Sequence, residues 1–333
     1  MNQQLHLLRD TYNREHKYLR IAITERCNLR CRYCMPSEGI ALKPRAELLT
    51  FDEIETLAKI FVELGIEKIR VTGGEPLVRN GVEKLCERIA KISDLKTLAI
   101  TTNGVLLEEK AQQLKDAGVK NINISLDTLQ RERFEHVALR GEFESVIRGI
   151  ESALQVGFSS IKINVVVMRN FNDDELPDFV EFAKALSLNV RFIEYMPFLG
   201  NGWNEVQFVS YKEMKECISE KHELIPLTSD EVLPGPAKDF RIAGSNATVG
   251  FITTMSEHFC GDCNRLRLTA DGKMRNCLFA SGEIDLKHHL RSGASQAELS
   301  ALIHKCVMQK WEKHPEAEEL IGQQNRAMIA IGG

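Results

Sequence analysis

Two groups of cysteines carry the densest chemical information in this chain. Cys27, Cys31 and Cys34 stand at C-x3-C-x2-C spacing, and Cys260, Cys263 and Cys277 at C-x2-C-x13-C. A short loop folds three thiolates of the first spacing around one corner of an iron–sulfur cube. A 4Fe–4S cube has four irons and usually takes four thiolates. Three cysteines leave one iron to be filled from elsewhere in the chain or by a substrate. A zinc site normally wants a fourth Cys or His close by. No His lies between Cys27 and Cys34, and His258 precedes an exposed-looking turn. A disulfide framework does not fit nine cysteines in a long chain without a secretory signal.

Charges inside apolar strand patterns are the second signal. Side chains alternate faces along a strand, so Lys68 and Arg70 share one face, as do Lys162 and Asn164. Arg20 and Arg191 fall in two further strands. Central parallel strands are buried on both sides, and an unpaired buried cation costs several kcal/mol in effective terms. Five cations spread over four strands are explained most economically by a concave interior that holds a polyanion, triphosphate better than a single carboxylate.

These groups need elements to position them, and the pattern is strand then helix, repeated. Strands are expected at Tyr18–Ile23, Ile66–Val71, Thr97–Thr102, Val119–Leu126, Ile161–Val167 and Val190–Tyr195. Thr50 and Asp52 are candidate N-caps for a helix to about Leu64. Six strand–helix units favour a parallel sheet, open or curved into an incomplete barrel. Either places its site at the C-terminal strand ends. The cysteine loop, Gly73-Gly74, Asn103-Gly104, Ser125-Leu126-Asp127 and Met196-Pro197 all fall there. After strand six the chain turns irregular, with a helix at Tyr211–Lys221 and two hairpin-like stretches flanking the second cysteine group. Cys86, Cys217 and Cys306 lie in expected helices without ligand spacing and read as core or surface thiols.

The 333 residues are 43% apolar and 27% charged, enough for a sizeable core. A net charge of −4 gives no electrostatic case for nucleic acid or membrane partners. No apolar run approaches a membrane span. The opening residues have no signal-peptide pattern, and the cysteine usage suggests a reducing cytoplasm.

The first cysteine spacing, with aromatic Tyr33 just before the third cysteine, resembles the radical S-adenosylmethionine (SAM) superfamily. The resemblance implies a partial (β/α)6 barrel of the TIM-like type. It implies a cluster on Cys27, Cys31 and Cys34 whose open iron chelates SAM, and a 5′-deoxyadenosyl radical from reductive SAM cleavage. Tyr33 would lie near the adenine. Thr72-Gly73-Gly74-Glu75-Pro76 matches the motif for the SAM amino group, through Gly74, with Glu75 a further ammonium acceptor. Ser125 and Met196 match SAM contacts.

The second cysteine group, Arg265-x-Arg267 and the terminal Gly332-Gly333 narrow the resemblance to the GTP 3′,8-cyclase family of molybdenum cofactor biosynthesis. This implies a second 4Fe–4S cluster on Cys260, Cys263 and Cys277, in a C-terminal α+β extension, whose open iron contacts guanine. Arg20, Arg70, Lys162, Arg265 and Arg267 would hold the triphosphate, with Thr101 and Leu266 also at GTP positions. Lys68 and Arg191 join them mainly on the alternation argument. The glycine-ended tail would thread into the barrel. The radical would remove the ribose 3′ hydrogen of GTP, and C3′ would bond C8, giving 3′,8-cyclo-7,8-dihydro-GTP. Residues 1–196 would form the barrel and 197–333 the auxiliary-cluster and substrate region. Expected partners are a flavodoxin-like electron donor, a downstream pterin-forming enzyme and a second copy in a homodimer. The alternatives are a peptide-modifying radical SAM enzyme and a non-catalytic metal-binding module.

Overall fold

A computed structural model describes residues 7–35, 39–228, 235–321 and 326–332. The strands and helices alternate in chain order: β1 (Tyr18–Ala22), α1 (Phe51–Glu63), β2 (Lys68–Thr72), α2 (Val82–Ala90), β3 (Thr97–Thr102), α3 (Leu107–Asp116) and β4 (Asn121–Ser125). Two helices then follow one another, α4 (Arg131–Ala138) and α5 (Phe143–Val156), before β5 (Ser160–Val167), α6 (Leu176–Leu186) and β6 (Asn189–Glu194). The remainder carries α7 (Tyr211–Ser219), β7 (Leu224–Pro226), β8 (Ala237–Ile242), β9 (Thr248–Ile252), β10 (Arg265–Leu268), β11 (Lys273–Arg275), β12 (Ile284–Asp285), α8 (Leu286–Arg291), α9 (Gln296–Met308) and α10 (Ala317–Ile321).

The six expected strands are present, with ends moved by a residue or two. Thr50, not Asp52, caps α1: its side chain accepts from the Glu53 N–H while Glu53 accepts from the Thr50 N–H, a capping box. The short helix α4 was not expected. Five of its eight residues are charged or His, yet Phe134, Val137 and Ala138 bury at i, i+3, i+4 spacing.

All strands belong to one sheet, in the order β12-β11-β10-β1-β2-β3-β4-β5-β6-β9-β8-β7. The run from β10 through β1–β6 to β9 is parallel throughout. The hairpins read from the sequence as part of a separate extension therefore lengthen the barrel sheet at both edges. In the β1–β10 register Tyr18 stands beside Arg265, Leu19 beside Leu266 and Arg20 beside Arg267. The outward face is apolar: Leu19, Ile21, Ile69, Val71, Ile100, Ile122, Ile163 and Val190 are buried against the helices in one continuous core. The inward face carries Tyr18, Arg20, Lys68, Arg70, Thr101, Asn123, Lys162, Arg191 and Arg267, all lining one cavity. Side chains from seven parallel strands can line one cavity only if the sheet curves around it, as an incomplete barrel does. Among the described residues no helix is long and apolar enough to cross a membrane.

Candidate active site

The first cysteine group occupies the loop leaving the C-terminal end of β1. That loop is held by its neighbours' backbones. The Gly74 N–H donates to the Thr24 carbonyl and the Glu75 N–H to the Arg26 carbonyl, both at 2.8 Å. From the other side the Arg30 and Arg32 N–H groups donate to the Ala138 and Val137 carbonyls, at 2.9 and 3.1 Å. This gives α4 its purpose: its C-terminal carbonyls, which no intrahelical partner can take, tie down the cysteine loop. A Cβ on Gly74 would stand 2.5 Å from the Arg26 carbonyl oxygen, and one on Gly73 2.6 Å from that of Thr24. The glycine pair is thus required for the cysteine loop to lie against β2. Gly74→Ala is expected to push that loop off the strand end. Purified Gly74→Ala protein should lose about half its iron and acid-labile sulfide while a guanidinium melt remains cooperative. Full iron content would contradict this reading of the glycine.

Glu75 departs from its expected role. Its carboxylate accepts from Leu77 N (2.9 Å), Thr102 Oγ1 (2.8 Å) and Asn103 N (2.6 Å), and only 1% of the residue is exposed. Burial pushes it up to about 7. It bolts the β2 and β3 ends together, and Glu75 is absent from the cavity wall while Gly73 and Gly74 are part of it.

Cys27 Sγ receives the Leu29 N–H at 3.4 Å and Asn103 Nδ2 at 3.7 Å. Burial raises all three thiols of the loop, Cys34 to about 12; Cys31 is raised further by the charges of Cys34 and Cys27, and Cys34 by that of Cys27. Thiols so hard to ionise in a closed interior suit a site where bound iron compensates the thiolate charge. Tyr33 is hydrogen-bonded to Asp127, which burial raises to about 6 and which also accepts from the Val166 N–H at 2.8 Å. Tyr33, Gly74, Ser125, Asp127 and Met196 line the same cavity as the three cysteines.

The second cysteine group lies at the opposite end. Cys260 and Cys263 precede β10, which runs parallel to β1, whereas Cys27 follows β1. Cys27, Cys31 and Cys34 line the cavity; Cys260, Cys263 and Cys277 do not, but Phe259, Arg265 and Leu278 beside them do, so the second group stands next to the opposite end of the same interior. Burial raises the Cys260 thiol, and the charges of the nearby Cys277 and Cys263 act in the same direction. Burial raises Cys263, but the nearby Lys310 ammonium and Arg265 guanidinium bring it below the ordinary thiol value. Lys310 is itself fixed by the carbonyls of Arg265 (2.9 Å) and Asn276 (2.5 Å). Arg14 holds the Cys260 carbonyl at 2.6 Å. Among the described residues no three His, Cys, Asp or Glu side chains are gathered closely enough to hold a single metal ion. A cube spreads its irons over separate corners, so its thiolates stand further apart than the ligands of one ion.

Between the mouths runs the cationic wall. Arg70 donates through Nε to the Tyr18 hydroxyl at 2.6 Å and through Nη1 to the Ile100 carbonyl (2.9 Å) and Thr101 Oγ1 (3.3 Å). Arg191 pairs with Asp239 at 3.3 Å. Burial and the Arg191 charge bring Lys162 down to about 7. Burial and then the phenol and neighbouring guanidiniums act on Arg20, which falls to about 10. Among the described lining residues Asp127, near Cys27, Cys31 and Cys34, carries the one side-chain carboxylate. All seven expected cations and Thr101 thus reach one interior, where Arg191 is also paired with Asp239. Leu266 does not: its side chain alternates outward and is fully buried in the core, leaving only its main chain toward the cavity.

The C-terminal tail enters this space. Arg20 Nη2 donates to the Gly332 carbonyl at 3.1 Å and Arg267 Nη1 to the Ile331 carbonyl at 3.3 Å. Gly332 has φ +78°, and a Cβ there would stand 2.6 Å from Thr72 Oγ1 and 3.0 Å from Ala22 Cβ. Gly333 lies outside the described residues. Arg326 anchors the start of the tail, bonding Asp271 (3.0 and 3.2 Å) and Glu283 (2.7 Å). Arg326→Gln is expected to lower nucleotide turnover several-fold while leaving iron content intact, because its bonds to Asp271 and Glu283 support the tail and touch neither cysteine group. An unchanged rate in steady-state turnover would remove Arg326 from the tail's support.

Sequence reasoning gave no site role to Tyr18, Asn121 and Asn123, and placed Asp127 at a strand end without a role; all four line the cavity. Alternation holds the signal for three of them: Tyr18 shares a face with Arg20, and Asn121 and Asn123 share one with Ser125.

A curved parallel sheet bearing three cysteines on the loop after its first strand defines a radical SAM protein, and residues 21–183 match the radical SAM superfamily model. Residues 188–316 match the model called Molybdenum Cofactor Synthesis C. The chain is 48% identical to the GTP 3′,8-cyclase of Moorella thermoacetica, across 98% of this chain and 100% of that one. It is 46% identical to the mitochondrial GTP 3′,8-cyclase of Arabidopsis thaliana, across 98% of this chain and 84% of that protein. The chain belongs to the GTP 3′,8-cyclase family. It is also 50% identical to molybdenum cofactor biosynthesis protein 1 of Bos taurus, but spans only 51% of that protein's length. Thus it covers about half of such longer relatives. Among solved structures, SuiB of Streptococcus suis bound to S-adenosylmethionine superposes with a TM-score of 0.60 at 14% identity, over 82% of this chain and 64% of that one. That likeness concerns the fold. Superfamily membership brings one 4Fe–4S cluster and SAM.

Proposed function

We propose that this protein cyclises GTP to 3′,8-cyclo-7,8-dihydro-GTP for molybdenum cofactor synthesis, using two 4Fe–4S clusters. The observation that carries the reading is a single cation-lined cavity with Cys27, Cys31 and Cys34 on its wall at one end and, at the other, Phe259, Arg265 and Leu278, the chain neighbours of the second three-thiol group. Cys27, Cys31 and Cys34 hold the first cluster, and Cys260, Cys263 and Cys277 the second. When bound, the first cluster and SAM supply the carbon radical that removes the ribose 3′ hydrogen.

The rest of the chemistry is positional. Tyr33, Gly74, Ser125 and Met196 orient SAM at the C-terminal strand ends. Arg20, Lys68, Arg70, Lys162, Arg191, Arg265 and Arg267 receive the triphosphate, and Thr101 assists. Fixing the phosphates leaves the base directed to the second cysteine group and the ribose between the mouths. The buried tail, from Ile329 to Gly332, fills the remaining opening and limits water around the reacting carbon. Residues 1–196 generate the radical and 197–333 select the substrate, although both build one sheet. A flavodoxin-like donor supplies electrons, a pterin-forming enzyme consumes the product, and the protein works as a cytoplasmic homodimer.

Anaerobic reconstitution with SAM, a reductant and each nucleoside triphosphate in turn tests this. GTP should give 5′-deoxyadenosine and a cyclised nucleotide, and the others should not. Equal products from ATP, or none from GTP, would overturn the reading. Peptide-modifying chemistry is disfavoured by the cavity's charge, since a peptide is not a polyanion.

A further inference from the structure

The cationic wall poses a physical problem when the cavity holds no polyanion. Lys68 and Arg70 stand two residues apart on one face of β2, and Arg20 and Arg265 flank them on β1 and β10. Repulsion should splay these side chains or empty the site of charge. Their common neighbour is Tyr18. Its hydroxyl accepts from Arg70 Nε at 2.6 Å. Its ring lies under the Lys68 ammonium, 5.0 Å away, and 6.0 Å from the Arg265 guanidinium. Arg20 is also hydrogen-bonded to it. Asp127, the acidic lining residue, is committed to Tyr33 and Val166 N–H at the other mouth.

We propose that Tyr18 is the resident counter-anion of the triphosphate site, gathering Arg20, Lys68, Arg70 and Arg265 in the empty cavity and taking up a proton from solvent when a nucleoside triphosphate arrives. Burial alone would raise the phenol, but the charges of Arg70, Arg20, Lys68 and Arg265 bring it down to about 7. Arg191, across the cavity, adds to the same field. A bound polyphosphate neutralises these cations and restores the phenol's ordinary affinity for its proton. The balance is simple: one phenolate oxygen gains one proton from the buffer, no other bond changes, and Arg70 keeps its hydrogen bond to the resulting hydroxyl.

The sign follows by linkage. The bound state holds the proton more tightly than the empty state, so nucleotide affinity falls as pH rises above about 7. Lys162, also near 7 when empty, contributes a second proton in the same direction. The diagnostic is therefore the difference between wild type and Tyr18→Phe.

This inference rests on the nucleotide reading above, and the test separates the two. GTP binding to the anaerobic holoenzyme is measured by titration calorimetry at pH 8 in two buffers of different ionisation enthalpy. Wild type should take up about one proton more than Tyr18→Phe. Wild-type affinity should fall more steeply with pH. A fluorinated tyrosine at position 18, a more acidic phenol, should move the onset of proton uptake to lower pH. Equal uptake by wild type and Tyr18→Phe, with GTP bound in both, overturns the role of Tyr18 alone. No GTP binding to the wild type overturns the nucleotide reading and this inference together.

Discussion

Gly332→Ala is expected to abolish cyclisation, lowering the yield of cyclised nucleotide at least about 100-fold. The residue sits at φ +78°, where a side chain is strained. A Cβ would also collide with Thr72 Oγ1 at 2.6 Å and press on Ala22 Cβ at 3.0 Å. Both are on strands that form the cavity floor, so the tail and not the barrel must yield. Its displacement breaks the Arg20 bond to the Gly332 carbonyl and the Arg267 bond to Ile331. Both arginines belong to the proposed triphosphate set, in which case tail and substrate share their anchors. The variant should keep its iron and still cleave SAM, forming 5′-deoxyadenosine without product. Wild-type cyclisation by Gly332→Ala would show that the tail plays no part.

Replacing both Arg265 and Arg267 by alanine is expected to weaken GTP binding at least about 100-fold, since a hydrogen bond to a charged group contributes about 1.5–3 kcal/mol. The two are neighbours of Tyr18 and Arg20 in the β1–β10 register and point into the same cavity. Arg267 is nearly inaccessible and also holds the tail, so its loss acts twice. Arg265→Ala alone isolates the phosphate contribution, because Arg265 makes no bond to the tail among the hydrogen bonds of the described residues. Equilibrium dialysis of GTP against the holoenzyme reads the affinity. Unchanged affinity in the double variant would remove these arginines from the nucleotide site.

Much of this site is legible before any fold is seen because cysteine spacing and strand alternation are local. Lys68 and Arg70 on one face, and three thiols on one loop, need no knowledge of distant residues. The placement of β10 beside β1 is a different matter. Arg265-x-Arg267 carries the alternation, but nothing near it says that its strand neighbour lies over two hundred residues earlier. Parallel pairing across that distance is decided by the closing of the whole sheet. Glu75 was misjudged for a related reason. A carboxylate after Gly-Gly invites an ammonium, yet the β3 end brings the Thr102 hydroxyl and the Asn103 N–H to it first. The tail's entry was expected from resemblance alone; a frayed Gly pair is the ordinary outcome for a terminus. Here Ile331 packs in an apolar cluster with Met196, Phe198, Phe279 and Leu320, and that burial draws Gly332 inward.

The central claim is that the cavity presents the ribose of GTP to the radical formed at the Cys27, Cys31 and Cys34 mouth. The most direct test supplies GTP carrying deuterium at C3′ to the reconstituted protein with SAM and a reductant. Mass spectrometry should find that deuterium in 5′-deoxyadenosine and missing from the cyclised nucleotide. Unlabelled 5′-deoxyadenosine beside a nucleotide that retains its deuterium would contradict the account.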